Sequence, residues 1–187
     1  MKLTKASFKV LRDAFGSPTQ SQVNALNFLV DEFNKDKSIT YPQGAYMLAT
    51  VWHETARTML PIEEYGKGKG RKYGQKIDID GSPYKGLDHI YYGRGYVQLT
   101  WLSNYILAKN KLGIDFVNHP EYALQPEYAV KILIDGMKQG WFTGRKLSDY
   151  INQSKKDYVN ARRIINGADK AQKIANEAVI FEKALRS

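Results

Sequence analysis

Two polar residues interrupt a stretch of sequence that is apolar on nearly every side. His53 and Glu54 follow the segment 42–52, which is rich in alanine, methionine, leucine, valine and aromatic residues. Such a helix is typical of a protein core, where a carboxylate is unfavourable unless it is paired or protonated. Glu54 is therefore either a general acid that stays protonated near neutral pH or a structural residue bonded to a neighbouring arginine or tyrosine. The helix alone leaves both interpretations open.

A second unusual segment is YYGRGYVQLTW at 91–101. Polar Gln98 and Thr100 alternate with apolar residues, and this alternation predicts an extended strand with Tyr96, Gln98 and Thr100 on one face. Aromatic, amide and hydroxyl groups on one face suit the rings and hydroxyls of sugars. The alternative is a tight Gly-Arg-Gly turn followed by an ordinary strand and a helix cap.

The elements that must position these residues are mainly helical. Between them, the segment 63–92 is rich in glycine, lysine and tyrosine, with a short alternating run at 76–81 that indicates a small β-hairpin or irregular ribbon. The absence of repeats and low-complexity linkers predicts a single catalytic domain over 1–187. Apolar spacing predicts helices at 4–15, from Thr19 or Ser21 to about 34–38, at 42–58, 101–112, 126–139, 146–152, 155–165 and 170–185.

Composition limits the classes of function. The 187 residues include no cysteine, which excludes a disulfide framework, a thiolate metal site and a cysteine nucleophile. The net charge of +9 favours an anionic partner, either nucleic acid or a bacterial envelope, although it also fits a merely solvated surface. The first twenty residues contain no continuous apolar run, so we expect synthesis in the cytoplasm without a signal peptide. We also expect no transmembrane segment.

Three motifs in order resemble the family 19 glycoside hydrolases, and in particular their short phage and prophage endolysin branch. They are His53-Glu54-Thr55 on the apolar helix, GRGYVQLTWLSNY at 93–105, and the segment Arg163 to Gly167, which reads RIING. The matching region spans 43–167, between N-terminal helices at 1–40 and a C-terminal helix at 168–187. The resemblance implies a mainly α, lysozyme-like and chitinase-like helical domain with a central cleft.

The resemblance also implies roles for individual residues. Glu54 matches the general acid, and Glu64 matches the general base that activates water, with adjacent Glu63 as the alternative. The family mechanism inverts the anomeric carbon, which requires roughly 6.5–9.5 Å between the two carboxyls. No metal or organic cofactor is implied. Thr100 matches the residue that holds the attacking water, and we expect substrate contacts from His53, Tyr92, Arg94, Gln98, Asn104 and Asn166.

Four weaker signals favour structural interpretations. Asp78-x-Asp80-Gly81 lacks the glutamate of a calcium loop, so a solvated turn is expected. The glycine- and lysine-rich segment 66–72 lacks the ending of a P-loop, and we interpret it as a basic loop at the edge of the cleft that touches anionic wall polymer. His89 and His119 are isolated in sequence, without the spacing of metal ligands. Trp141 and Phe142 are expected to pack rather than to bind sugar.

Three functions remain. The first is an endolysin of the muramidase or lysozyme type, a monomer that binds peptidoglycan strands and the anionic envelope, with no specific nucleic acid partner, and reaches the wall after holin-type release. The second is a chitinase acting on N-acetylglucosamine polymers. The third is a non-catalytic basic module that binds wall polymer or nucleic acid, with Glu54 as a structural residue.

Overall fold

The computed structural model describes residues 1–71, 73 and 90–187, and within them the chain is mainly helical. This confirms the fold class expected from the apolar spacing. Two short strands, β1 (Ile62–Glu63) and β2 (Arg94–Gly95), pair in antiparallel fashion. The α-helices are α1 (Lys5–Phe15), α2 (Gln20–Lys35), α3 (Tyr41–Glu54), α4 (Leu102–Leu112), α5 (Pro126–Gln139), α6 (Leu147–Tyr150) and α7 (Ala171–Leu185).

The first three helices each begin after a threonine that caps them. Thr4, Thr19 and Thr40 accept hydrogen bonds from backbone N–H groups of the first turn, and in each case a side chain three residues later bonds back to the threonine N–H. This reciprocal capping box satisfies donors that a helix otherwise leaves unpaired. Of the two caps considered for the second helix, Thr19 is therefore the one used.

The apolar helix α3 ends at Glu54, four residues before the predicted end at 58. The backbone leaves the helical region here because Ala56, Arg57 and Met59 have positive φ angles of 49°, 70° and 61°. Left-handed backbone at non-glycine residues is uncommon, and the sequence carries no glycine that would signal it. Glu54 is thus the last residue of its helix rather than part of its middle.

Contacts divide the described chain into two compact units, the first comprising Met1–Met59 and Ile134–Ser187. Its centre is α3, whose residues 44–52 are all buried and which packs along α7. Helix α1 also packs on α7. Burial of one helix on all sides explains why its sequence lacks a polar face.

The second unit comprises Leu60–Leu133 and contains the β1–β2 pair, α4 and a 3₁₀ turn at Pro120–Leu124. Gly95 allows β2 to approach this turn, because a Cβ atom on Gly95 would lie 2.7 Å from the carbonyl oxygen of Ala123. Gly95 also has a φ of 87°, which favours glycine. The apolar spacing of the sequence does not predict this 3₁₀ turn.

The extended strand expected over 96–101 is wrong. Arg94 and Leu99 exchange two backbone hydrogen bonds of 3.2 and 2.8 Å, so the chain between them folds into a tight loop. Gln98 has a φ of 53°, and Tyr96 is only 1% exposed and does not share a surface with it. The alternative considered for this segment, a turn at Gly-Arg-Gly, is closer to the structure.

Two further predictions concern the segments 155–165 and 63–92. The helix predicted at 155–165 is a single 3₁₀ turn at Asn160–Ile164, preceded by an isolated bridge between Ile151 and Lys156. Of the ribbon expected over 63–92, the alternating run at 76–81, with its Asp78-x-Asp80 turn, lies outside the described residues, as does His89. In the described part of the chain, no helix is long and apolar enough to cross a membrane.

Candidate active site

Glu54 forms an ion pair with an arginine in the first unit. Its Oε1 accepts a hydrogen bond of 2.6 Å from Nη1 of Arg162, and the two side chains are 15% and 4% exposed. Of the two interpretations of Glu54, the structure therefore shows the arginine partner that the structural one requires. The guanidinium lies against one carboxylate oxygen of Glu54 at the end of α3, so the two opposite charges compensate each other where there is little access to solvent.

Arg162 is held in place from its other side. It lies in the 3₁₀ turn Asn160–Ile164, and its Nε donates a 3.0 Å hydrogen bond to the carbonyl oxygen of Asp169. The planar guanidinium can satisfy both partners at once because its donors point in fixed, different directions. No local pattern in the sequence marks Arg162 as the partner of Glu54, although it stands directly before the Arg163–Gly167 motif.

His53 is half-buried beside the same pair. Burial holds the pKa of its imidazole below the ordinary value of 6.5, and the positive charges of Arg162 and Lys173 act in the same direction, while Glu54 and Asp169 oppose them. The ring is therefore neutral at neutral pH. A neutral imidazole at this position suits the expected role in substrate contact better than that of a cationic acid.

The turn that follows Glu54 is fixed by hydrogen bonds. The Thr55 hydroxyl donates to Val51 O at 2.7 Å and accepts from the Met59 N–H at 3.0 Å. Gln22 of α2 donates through Nε2 to the Arg57 carbonyl at 2.8 Å. These bonds hold the left-handed residues after Glu54 in place, as strained backbone near functional sites requires.

Glu64 lies in the second unit, directly after β1. Its two carboxylate oxygens accept hydrogen bonds from the Tyr73 hydroxyl at 2.8 Å and the Gly93 N–H at 3.0 Å, and its own N–H donates to Gly93 O at 2.7 Å. Burial and the hydrogen bond to Glu64 raise the pKa of Tyr73. The carboxylate thus has a fixed orientation and no cationic partner among the ion pairs of the described residues.

Adjacent Glu63 has a different environment. It accepts a 2.7 Å hydrogen bond from the Tyr92 hydroxyl and pairs with Nζ of Lys67 at 3.0 Å, and Nε of Arg94 lies 3.9 Å away. The hydrogen bonds from Tyr92 and Lys67 hold the pKa of Glu63 below its ordinary value. Glu63 is therefore occupied by structural partners, which favours Glu64 as the residue that contacts water.

Arg94 is buried, with 5% of its surface exposed. Its guanidinium packs over the Tyr92 ring at 3.7 Å and donates to the Ile90 carbonyl at 2.5 Å and to the Tyr105 hydroxyl at 3.0 Å. The expected substrate contact of Arg94 is thus corrected to an internal role in shaping the loop. Tyr92 is 8% exposed, and its hydroxyl is directed to Glu63, so the same correction applies to it.

Gln98, Thr100 and Asn104 are partly exposed in the second unit. Gln98 donates to the Ile62 carbonyl at 3.0 Å, which ties the loop to β1. The Thr100 hydroxyl donates to Gln98 O at 2.7 Å, and Asn104 donates to Thr100 O at 2.8 Å. The roles of Thr100 and Asn104 toward water and substrate stay predictions.

Asn166, His119, Trp141 and the basic loop complete the set of residues singled out from the sequence. Asn166 is exposed in the first unit, where its N–H donates to Arg162 O at 3.0 Å. His119 stacks on Tyr122 at 4.8 Å, and Trp141 is 8% exposed, which confirms packing for the latter. Lys67, Lys69 and Arg71 of the basic loop are exposed. Within the described part of the chain, no cluster of three acidic or histidine residues could hold a metal ion.

Comparison with known proteins gives partial sequence matches. No protein-family model matches the chain. An acidic endochitinase of Petunia hybrida is 30% identical over 122 residues, covering 60% of this chain and 48% of the relative. One endochitinase of Arabidopsis thaliana is 37% identical over 103 residues, covering 54% of this chain and 36% of the relative. A second endochitinase of the same plant is 31% identical over 125 residues, covering 66% of this chain and 41% of the relative. The chain thus spans less than half the length of each of these relatives.

Solved structures match over nearly the whole chain. Chitinase C of Streptomyces griseus has a TM-score of 0.68 at 24% identity, over 99% of this chain and 77% of that chain. A chitinase C variant has a TM-score of 0.69 at 24% identity, over 99% of this chain and 93% of that chain. A bacterial family 19 chitinase has a TM-score of 0.55 at 22% identity, over 98% of this chain and 94% of that chain. The chain therefore has the mainly helical, lysozyme-like fold of the family 19 chitinases.

Proposed function

We propose that this protein is a glycoside hydrolase that cleaves the glycan backbone of peptidoglycan, with Glu54 as general acid. The observation that carries the proposal is the position of Glu54 at the end of α3. Its carboxyl is 15% exposed there and is oriented by Arg162, so it is fixed and yet reachable. Partial sequence matches to endochitinases support hydrolysis of a glycan.

The proposed reaction needs two carboxyls in different states. As an acid, Glu54 must carry a proton for the leaving glycosidic oxygen, so substrate binding must weaken its pair with Arg162. Glu64 acts as base and removes a proton from the attacking water, since its carboxylate is oriented by Tyr73 and Gly93 and forms no ion pair with another described residue. The hydroxyl of Thr100 helps to hold that water. The anomeric carbon is inverted.

Charge supports peptidoglycan over chitin as the substrate. Chitin is a neutral polymer, whereas the peptides and polymers of a bacterial wall carry carboxylates and phosphates. The net charge of +9 and the exposed Lys69 and Arg71, which follow Glu64 closely in sequence, favour the anionic material. We propose that the protein, synthesised in the cytoplasm, reaches the wall after holin-type release.

Two alternatives compete with this proposal. A chitinase is favoured by the names of the partial matches, and it would cut N-acetylglucosamine oligosaccharides. A non-catalytic module that binds wall polymer is favoured by the Glu54–Arg162 ion pair, which is the structural alternative for a buried glutamate. The first alternative differs in substrate, and the second predicts no cleavage of any glycan.

The test measures new reducing ends and the turbidity of outer-membrane-permeabilised bacteria. Wild type should release reducing ends from purified peptidoglycan, and Glu54→Gln should reduce the rate by at least about a hundredfold, the scale of general acid catalysis. Glu121→Gln, an exposed glutamate of the 3₁₀ turn, is the matched control and should retain the wild-type rate. Equal activity of Glu54→Gln and wild type would contradict the assignment. Cleavage of N-acetylglucosamine oligosaccharides but not of peptidoglycan by wild type would favour the chitinase, and absence of cleavage of both would favour the binding module.

A further inference from the structure

Trp101 is an exposed aromatic residue close in sequence to two buried leucines. Trp101 is 50% exposed, whereas Leu99, two positions before it, and Leu102, directly after it, are 1% and 5% exposed. An isolated exposed aromatic residue is common on protein surfaces and is not by itself a binding site. Its backbone and its neighbours distinguish Trp101 from such a residue.

The backbone of Trp101 has a φ of 77° and a ψ of 134° at the start of α4. A bulky side chain in this region is a conformational outlier that persists only when neighbouring bonds hold it. The Trp101 N–H donates to Tyr91 O at 3.0 Å, and the Trp101 carbonyl accepts from the N–H groups of Asn104 and Tyr105 at 3.0 and 3.2 Å. These hydrogen bonds hold Trp101 in a strained backbone conformation in which its indole is exposed instead of packed in the core.

The indole is also connected to Glu64 through one aromatic ring. The Tyr73 ring meets the Trp101 ring edge to face, with centroids 5.2 Å apart and planes at 88°. The Tyr73 hydroxyl donates to Glu64 at 2.8 Å, and the Tyr73 carbonyl accepts from the Leu102 N–H at 3.1 Å. The exposed ring and the oriented carboxylate therefore share a common support within the second unit.

A sugar ring has an apolar face of C–H groups and a rim of hydroxyls. An exposed indole can cover that apolar face, while nearby amide and carboxylate groups bind the rim. We propose that Trp101 stacks on an N-acetylhexosamine ring of the substrate glycan beside Glu64. This inference rests on the proposed function, since it places a sugar next to the proposed base. Trp101 is not among the substrate contacts that the family resemblance implies.

The test separates binding from cleavage. Binding of the N-acetylglucosamine tetramer and of soluble, uncrosslinked peptidoglycan fragments is measured by calorimetry in a Glu54→Gln background. Replacement of Trp101 by Ala should raise the Kd for the bound glycan about tenfold or more, and Trp101→Phe should restore part of the affinity. The matched control is Tyr41→Ala, an aromatic residue that is 38% exposed in the first unit, and its Kd should equal that of the parent.

Kinetics on the active protein provide the second readout. Trp101→Ala should raise KM more than it lowers kcat, because stacking contributes to binding of the ground state as well as of the transition state. Equal Kd values for Trp101→Ala and its parent would overturn the inference while leaving a cleaving wild type intact. If wild type cleaves nothing but binds glycan through Trp101, the proposed function fails and the inference stands. Failure of the parent to bind either glycan overturns both.

Discussion

Removal of Arg162 should destabilise the protein because it leaves Glu54 as an unpaired, mostly buried carboxylate. Breaking a buried ion pair by removing one partner typically costs about 3–5 kcal/mol. Because the Glu54 side chain retains 15% exposure, we expect Arg162→Met to lower the free energy of unfolding by about 3 kcal/mol, near the lower end of this range. For a chain of this length that corresponds to a decrease in Tm of roughly 6–12 °C.

A double-mutant cycle tests the origin of this loss. Glu54→Gln alone leaves the buried guanidinium without its charged partner, so it should also destabilise. The double variant, Arg162→Met with Glu54→Gln, should lose about 2 kcal/mol less than the sum of the two single variants, as expected for residues in direct contact. Urea unfolding at pH 7 and 25 °C gives each free energy of unfolding.

An exposed ion pair serves as the control for the cycle. Lys9 and Asp13 are 68% and 57% exposed at a distance of 2.7 Å, and Lys9→Met should leave the free energy of unfolding close to that of wild type because solvent screens the pair. If the loss in free energy of unfolding of the double variant equals the sum of the two single losses within about 0.5 kcal/mol, Glu54 and Arg162 behave as independent sites, and the predicted coupling is refuted.

Three further predictions concern the backbone and the pH dependence of stability. Ala56→Gly should stabilise the protein by about 0.5–1 kcal/mol, because Ala56 has a φ of 49°, which glycine adopts without strain. The control Ala6→Gly, in helix α1, should destabilise the protein by a similar amount. Equal effects of the two substitutions on urea unfolding would argue against backbone strain at Ala56. Gly95→Ala should cost at least about 2 kcal/mol through its 2.7 Å approach to Ala123 O, and Gly16→Ala, at a φ of 88° with open space around it, should cost only about 1 kcal/mol. Hydrogen bonds from Lys138 and then Ser38 lower the pKa of Asp36 from 3.8 to about 2. Its stabilising effect is complete above the unfolded value of 3.8 and is lost as pH falls through about 2, so the stability difference between wild type and Asp36→Asn should shrink from pH 5 to pH 2. A constant difference over that range would show that the lowered pKa is absent.

Local signals in the sequence were sufficient for most of the helices. The helix predicted at 126–139 matches α5, and Thr19 caps α2 as considered, because apolar spacing and capping act within a few residues. The end of α3 was missed, since Ala56 and Arg57 adopt left-handed backbone without the glycine that normally indicates it. The alternation over 96–101 was misinterpreted because a tight loop also directs successive side chains to different sides.

The partners within the candidate site could not be predicted from local spacing. Arg162 stands 108 positions from Glu54, and the pairing arises only when α3 and the 3₁₀ turn before α7 come together. Tyr73 and Gly93 likewise reach Glu64 through the tertiary fold. Family resemblance identified the candidate carboxyls but not the side chains that orient them, and burial of Arg94 reversed the role expected of it.

The most direct test of the proposed function is mass spectrometry of the fragments that wild type releases from purified peptidoglycan, after reduction with borohydride. Cleavage of the bond between N-acetylmuramic acid and N-acetylglucosamine by a muramidase should give fragments with reduced N-acetylmuramic acid at their ends, and Glu54→Gln should give almost none. Fragments that end only in reduced N-acetylglucosamine would contradict the muramidase specificity, and the absence of fragments from wild type would contradict the proposed function itself.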